Sequence, residues 1–272
     1  MGGMYVHQPC TFGDCEDPLF PVVPGRHLLV ENQVDRRGPP NARFPRRSWD
    51  PDFYGLVIYA EFSQQRWADV IRLDPPPANE SDQTQREIQQ LLAFAQAQRP
   101  AMLPEIKVQD RQFPSYFERL LMISPASHPA TFDLMKVAAR CSEMLMAHFK
   151  WRFSRPRPQQ LAPALMPPLM AQNHASYPSG HAMMSRLMAL CLSDAAGDEF
   201  EPSLLQLSEQ IGRNREIAGV HYPSDTNAGQ DVAAQAHRLL NSGPLQLYNQ
   251  LVNEAREEWG RLLRDDQRWP VP

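Results

Sequence analysis

The sequence predicts an all-α protein, a helical bundle behind a proline-rich N-terminal extension. Three observations predict it. Apolar residues recur at helical spacing through most of the chain after Ser81. No series of alternating strands and no internal repeat is visible. Prolines crowd the first 80 residues and then thin out.

Residues 1–80 carry Pro18, Pro21, Pro24, Pro39, Pro40, Pro45, Pro51, Pro75, Pro76 and Pro77. Such punctuation argues against long helices, because proline lacks an N–H and its ring clashes with the preceding turn. This part reads as an extended arm laid over the core. One apolar stretch in it, Tyr54 to Phe62, fits a short helix or a strand equally well.

From Ser81 onward the pattern is helical. Ser81 or Asp82 can cap a helix whose apolar face holds Ile88, Leu91, Leu92 and Phe94. A short helix is expected over Tyr116–Met122. Pro129 suits the first turn of a long helix reaching Phe149. Its apolar residues nearly surround the axis, so it belongs at the centre. The next helix follows Pro178-Ser-Gly-His181 and runs to about Ala195. Another spans Ser203 to Val220, with Ser203 as its cap. A further helix, Ser224 to Leu240, ends at Asn241-Ser-Gly-Pro244, a strong stop signal. The last carries Leu247, Leu251, Ala255, Trp259 and Leu262 between charged residues, as an amphipathic surface helix does. The bundle, residues 81–272, is the expected catalytic domain.

Composition narrows the function. Lys and Arg number 27 against 31 Asp and Glu, a net charge of −4, which disfavours nucleic acid as a partner. No apolar run approaches the roughly 20 residues that cross a bilayer. The N-terminus lacks the basic start and apolar stretch of a secretory signal. Val6 breaks the myristoylation pattern after Gly2. A cytoplasmic location is therefore expected. Cys141 and Cys191 lie in apolar helical contexts and read as core residues. Cys10 and Cys15 flank a turn. They can pair or join His7 at a metal, but no second ligand pair at the usual spacing follows.

Three clusters carry the chemistry. The first, Lys150-Trp-Arg-Phe-Ser-Arg-Pro-Arg157, holds four cations in eight residues with no acid among them. A helix dipole accounts for one or two; like charges this dense imply an anion. The second runs from His174 to Met184. Ser179 is a good N-cap, Gly180 permits close backbone approach, and first-turn N–H groups form an anion cradle. The third is Arg215-x5-His221-x3-Asp225. Asp225 can accept a bond from one ring nitrogen of His221, leaving the other with a nucleophilic lone pair.

Taken together, Lys-x6-Arg-Pro, Pro-Ser-Gly-His and Arg-x5-His-x3-Asp resemble the three blocks of the type 2 phosphatidic acid phosphatase / vanadium haloperoxidase superfamily. The resemblance covers Lys150 to Asp225. It implies a helical bundle of the acid phosphatase/vanadium haloperoxidase type. It also implies roles: Lys150, Arg157 and Arg215 bind phosphate oxygens, and Ser179 and the Gly180 N–H add donors. His221 attacks phosphorus, Asp225 orients it, and His181 protonates the leaving alcohol. Asn214 stands where the family commonly has Ser, and Asn can still donate to the oxyanion.

The expected function is hydrolysis of small phosphomonoesters through a phosphohistidine, with no cofactor. The alternative is a vanadate-dependent haloperoxidase, with His221 as the metal ligand, His174 beside a substrate or halide pocket, and halide and hydrogen peroxide as substrates. A non-catalytic phosphate-binding protein is a third reading, but it has no need of His221, Asp225 and His181 together. A homo-oligomer is compatible with the sequence.

Overall fold

Ser179 opens the helix around which the others pack. Its side chain accepts the Ala182 N–H, capping a helix of Gly180–Ala196. In this computed structural model, residues 43–170 and 173–266 are described, without the side chains of Arg47 and 261–266. Among them the elements run α1 Pro51–Ser63, α2 Trp67–Val70, α3 Asp82–Ala97, α4 Arg99–Gln112, α5 Pro114–Leu121 and α6 Pro129–Phe153. Then come α7 Pro158–Leu161, α8 Gly180–Ala196, α9 Glu201–Ile217, α10 Pro223–Ser242 and α11 Gln246–Asp266. No strand occurs among the described residues, so the all-α expectation holds. Cys10, Cys15 and His7, and the side chain of Leu262, lie outside them.

The central helix α8 packs against α6, α9, α10 and α11. Small residues permit the closest approaches. A Cβ on Gly229 of α10 would stand 2.5 Å from the Ser179 carbonyl oxygen, and one on Gly212 of α9 would meet Thr226 at 2.9 Å. The main core joins Leu134, Val137, Cys141, Leu145 and Phe149 of α6 with Leu187, Cys191 and Leu192 of α8, and with Val232, Ala236, Tyr248 and Leu251. Both core cysteines are free and buried, as expected. A second apolar cluster holds Ile88, Leu91 and Phe94 of α3, Ile106 of α4, and Ile217, Val220 and Tyr222. It clamps the segment that carries His221.

Several boundaries differ from expectation. The Tyr54–Phe62 stretch is helical and belongs to the 13-residue α1, longer than the proline count suggested. The reason is local: no proline falls between Pro51 and Pro75, and Asp50 caps the start through the N–H groups of Asp52 and Phe53. Tyr54, Ile58 and Phe62, four apart, join the main core. Ser81, rather than Asp82, caps α3. Helix α4 was not expected at all; Pro100 lies in its first turn, where proline is tolerated, but Pro104 lies inside it, and the two hid it. Ser203 is no cap, since α9 begins two residues earlier with Pro202 in its first turn.

Candidate active site

Five helices bring the sequence clusters together. Lys150 sits in the last turn of α6, Arg157 just before α7, Gly180 and His181 at the start of α8, and Arg215 in the last turns of α9. His221 lies in the short link before α10, and Asp225 in that helix's first turn. A cavity of about 180 Å³ is lined by Arg157, His174, Gly180, His181, Arg215 and His221, with Phe113, Glu143, Met146 and Met184. That space equals the bulk share of about six waters, room for one tetrahedral anion with its attached oxygen.

His221 is 2 % exposed. Its Nδ1 lies 3.1 Å from Asp225 Oδ2. A carboxylate only accepts, so Nδ1 carries the proton and Nε2 keeps its lone pair. Arg157 Nη1 stands 3.2 Å from that Nε2. The lone pair therefore faces the cationic cavity. Asp225 is held in turn by Arg155 Nη1 at 2.7 Å, the Ser176 hydroxyl at 2.5 Å and the Tyr222 N–H at 3.1 Å. Four donors converge on two carboxylate oxygens.

The cations are arranged unequally. Arg215 donates to Asp110 Oδ1 at 2.8 Å, while its buried Nε has no partner among the described residues. Arg157 donates to the carbonyls of Val220 and His174 and to ring nitrogens of His221 and His174. Lys150, expected among the anion ligands, does not itself line the cavity; it donates to the carbonyls of Ala175 and Ser176, at 2.7 and 2.8 Å. Neither Lys150 nor Arg157 meets a carboxylate among the described residues. Burial, then Arg157 and Arg215, push Lys150 down to about 6. Burial lowers Arg157 to about 10. Such a site is short of negative charge, and an incoming oxyanion supplies it.

The histidines respond to the same field. Burial, then Arg157, Lys150 and Arg215, hold His221 well below its usual value. Burial and Arg215 do the same to His181. His181 Nε2 lies 3.3 Å from the Asp110 carbonyl oxygen, and its ring packs against Phe113 at 5.2 Å between centroids. Both imidazoles are therefore neutral in the anion-free state. His174 lines the cavity, and its Nδ1 accepts from Arg157 Nη2 at 3.0 Å.

Some expected residues are placed otherwise. Ser179 is buried and does not line the cavity; its Oγ caps α8 and its N–H donates to the Asp225 carbonyl. Gly180 does line it, where first-turn N–H groups lack intrahelical partners. The Asn214 amide does not reach the cavity, because its Nδ2 donates to Gln109 of α4 at 2.8 Å and its oxygen accepts from Gln210. Arg155, one of the four clustered cations, is not uncompensated. It pairs with Asp225 and with Glu87 of α3, and its guanidinium lies 3.8 Å from the Tyr222 ring centroid.

Four participants escaped the sequence reading: Asp110, Ser176, Glu87 and the buried role of Arg155. Asp110 lies on the helix that prolines concealed. Glu87 had a signal, since it falls on the apolar stripe of α3 beside Ile88 and Leu91, where a carboxylate needs a buried partner.

Comparison with known proteins agrees with the three blocks. Residues 134–242 match the PAP2 superfamily, so the resemblance holds for that segment. A non-specific acid phosphatase of Providencia stuartii is 33% identical over 89 residues, 33% of this chain and 35% of that one. The non-specific acid phosphatase of Salmonella typhi is 36% identical over 83 residues, 30% of this chain and 32% of that one. The chain thus matches about a third of the length of these relatives. Among solved structures, a transmembrane PAP2-type phosphatidylglycerolphosphate phosphatase from Bacillus subtilis has a TM-score of 0.47 at 16% identity, covering 70% of this chain and 92% of that one. A bacterial vanadium-dependent iodoperoxidase has the same score and identity, covering 68% and 53%. No helix among the described residues is long and apolar enough to cross a membrane.

Proposed function

We propose that this protein hydrolyses phosphomonoesters through a phosphohistidine on His221 Nε2. The observation that carries the reading is the run from Asp225 through His221 to Arg157: Nδ1 is held by the carboxylate, and Nε2 faces the cavity beside a guanidinium that meets no carboxylate among the described residues. Lys150, Arg157, Arg215 and the N-terminal end of α8 at Gly180 hold the three non-bridging oxygens. Nε2 attacks phosphorus as the bond to the leaving oxygen breaks. Asp225 stabilises the positive charge that the ring acquires. The bound dianion offsets Arg215 and raises the affinity of His181 for a proton, which then passes to the leaving alcohol. In the second step water attacks phosphorus and gives its proton to His181. The P–N bond breaks, and orthophosphate and neutral His221 are restored. Fixed charge and in-line positioning supply most of the rate.

The same cradle fits vanadate, because the groups that hold it are oxyanion donors with His221 Nε2 as the protein ligand. When bound it would supply peroxide activation for halide oxidation. His174, the candidate for a halide site, lines the cavity with its Nδ1 engaged by Arg157.

A paired assay on one preparation tests the choice. Phosphate release from an aryl phosphate is measured first, then bromination of a phenol dye after vanadate and peroxide are added. Acid-labile, base-stable phosphate on His221, trapped by rapid quench during turnover, is the expected companion result. Bromination without phosphate release would overturn the proposal.

A further inference from the structure

A second cavity opens beyond His181. Its volume is about 330 Å³, and it is lined by Phe113, Pro114, Phe132, Met135, Ala139, Met184 and Met188, among others. Phe113, Glu143, His181 and Met184 line both cavities, so the two adjoin at His181. The walls come from α1, α6, α8 and the α4–α5 junction. Three of these side chains, Phe113, Met135 and Met188, are almost fully buried. Of its charged lining residues, Asp52 takes Lys136 at 3.1 Å and Arg140 at 2.9 Å, Arg140 also takes Glu143 at 2.9 Å, and Asp110 takes Arg215 at 2.8 Å; Arg111 and Glu118 also line it. With most of these charges neutralised by a neighbour, the apolar floor sets the preference of the cavity. It selects apolar surface.

We propose that this cavity is the leaving-group subsite and that it takes an aromatic alcohol moiety, making the substrates aryl or arylalkyl phosphomonoesters. The inference rests on the phosphatase reading for the chemistry but not for the binding. His181 stands at the junction, so a phosphate seated among Lys150, Arg157 and Arg215 directs its ester oxygen past the imidazole and its organic group into the apolar space. Phe113 and Phe132 offer ring faces and edges for an aromatic group, and the methionines conform to its outline. The volume lies at the lower end of ligand pockets, enough for one or two fused rings and too little for a diacyl lipid.

Affinity for non-hydrolysable phosphonates tests the subsite apart from turnover. By calorimetry, 1-naphthylmethylphosphonate should bind at least tenfold more tightly than methylphosphonate. Ala139→Phe, which grows a ring from a half-buried wall position on α6, should cut that ratio to threefold or less. Phe132→Ala, which shortens the opposite kind of contact, should also lower it, and serves if Ala139→Phe does not fold. A wild-type ratio below threefold would overturn the proposal, as would a ratio that neither folded variant changes. So would tighter binding of micellar dioctanoyl phosphatidate than of the naphthyl compound, which would mean a lipid site instead. Parallel phosphate release from 1-naphthyl phosphate separates the two claims. Selective binding without release sustains the subsite and removes the phosphatase; release without selectivity does the reverse.

Discussion

Replacing Asp225 with Asn turns one carboxylate oxygen into an NH₂ and removes one charge from a group that is wholly buried. Its two oxygens accept from Arg155, Ser176, His221 Nδ1 and the Tyr222 N–H. An amide has one accepting oxygen. If its NH₂ takes the Oδ1 place, it faces the Arg155 guanidinium; if it takes the Oδ2 place, it faces three donors. Either way a donor meets a donor, and among the described residues Arg155 keeps only Glu87, 3.4 Å away, as a charge partner. Neutralising one member of a buried pair costs about 3–5 kcal/mol, a large part of a total of roughly 5–15. Turnover of the folded fraction should fall by about 10⁴, the effect of turning an orienting carboxylate into an amide beside a catalytic histidine. Urea unfolding followed by fluorescence, with phosphate release on the same preparation, measures both. Arg155→Met/Asp225→Asn provides the control. With both charges gone, the double variant should be more stable than the sum of the singles predicts, by at least about 1.5 kcal/mol. Additivity within about 0.5 kcal/mol would refute the account of a coupled buried network.

Three further outcomes are expected. Lys150 is lowered to about 6 and is largely neutral at pH 7.5; a bound oxyanion favours its charged form, so the bound state holds more protons and affinity falls as pH rises above 6. Calorimetry in buffers of differing ionisation heat should then show nearly one more proton taken up by wild type than by Lys150→Met, and equal uptake would contradict the assignment. His181→Asn should slow an alkyl phosphate by about 10²–10⁴ but a nitrophenyl phosphate far less, since that leaving oxygen needs no proton; equal losses on both would remove His181 as the acid. Gly229→Ala pushes a methyl group against the Ser179 carbonyl and the Met183 N–H, 2.5 and 3.1 Å from its Cβ. It should destabilise by about 1–3 kcal/mol, read as a lower melting temperature, and an unchanged transition would show that α10 can shift from α8 freely.

The helices from α3 onward were mostly legible because their signals are local. Ser81 and Ser179 announce starts, Gly243-Pro244 a stop, and apolar spacing marks the buried face. The anion-binding blocks were legible for a related reason: the residues of each block lie within eleven positions of one another. Helix α4 was not legible, since Pro100 and the interior Pro104 argue against a helix that packing on α3 and α9 nevertheless holds. Asn214 misled because a side chain's type says what it can donate, while its neighbours decide to whom; Gln109 and Gln210 claim it first.

By itself the sequence determined the helical class, the three clusters and the pairing of His221 with Asp225, which a four-residue separation already brings within reach. Only the tertiary structure decided which cations stay short of negative charge. Arg155 finds Asp225 across 70 residues and Arg215 finds Asp110 across 105, whereas Lys150 and Arg157 are left with carbonyls and imidazoles. Electrostatic compensation depends on distance through space, and packing of helices far apart in the chain sets that distance.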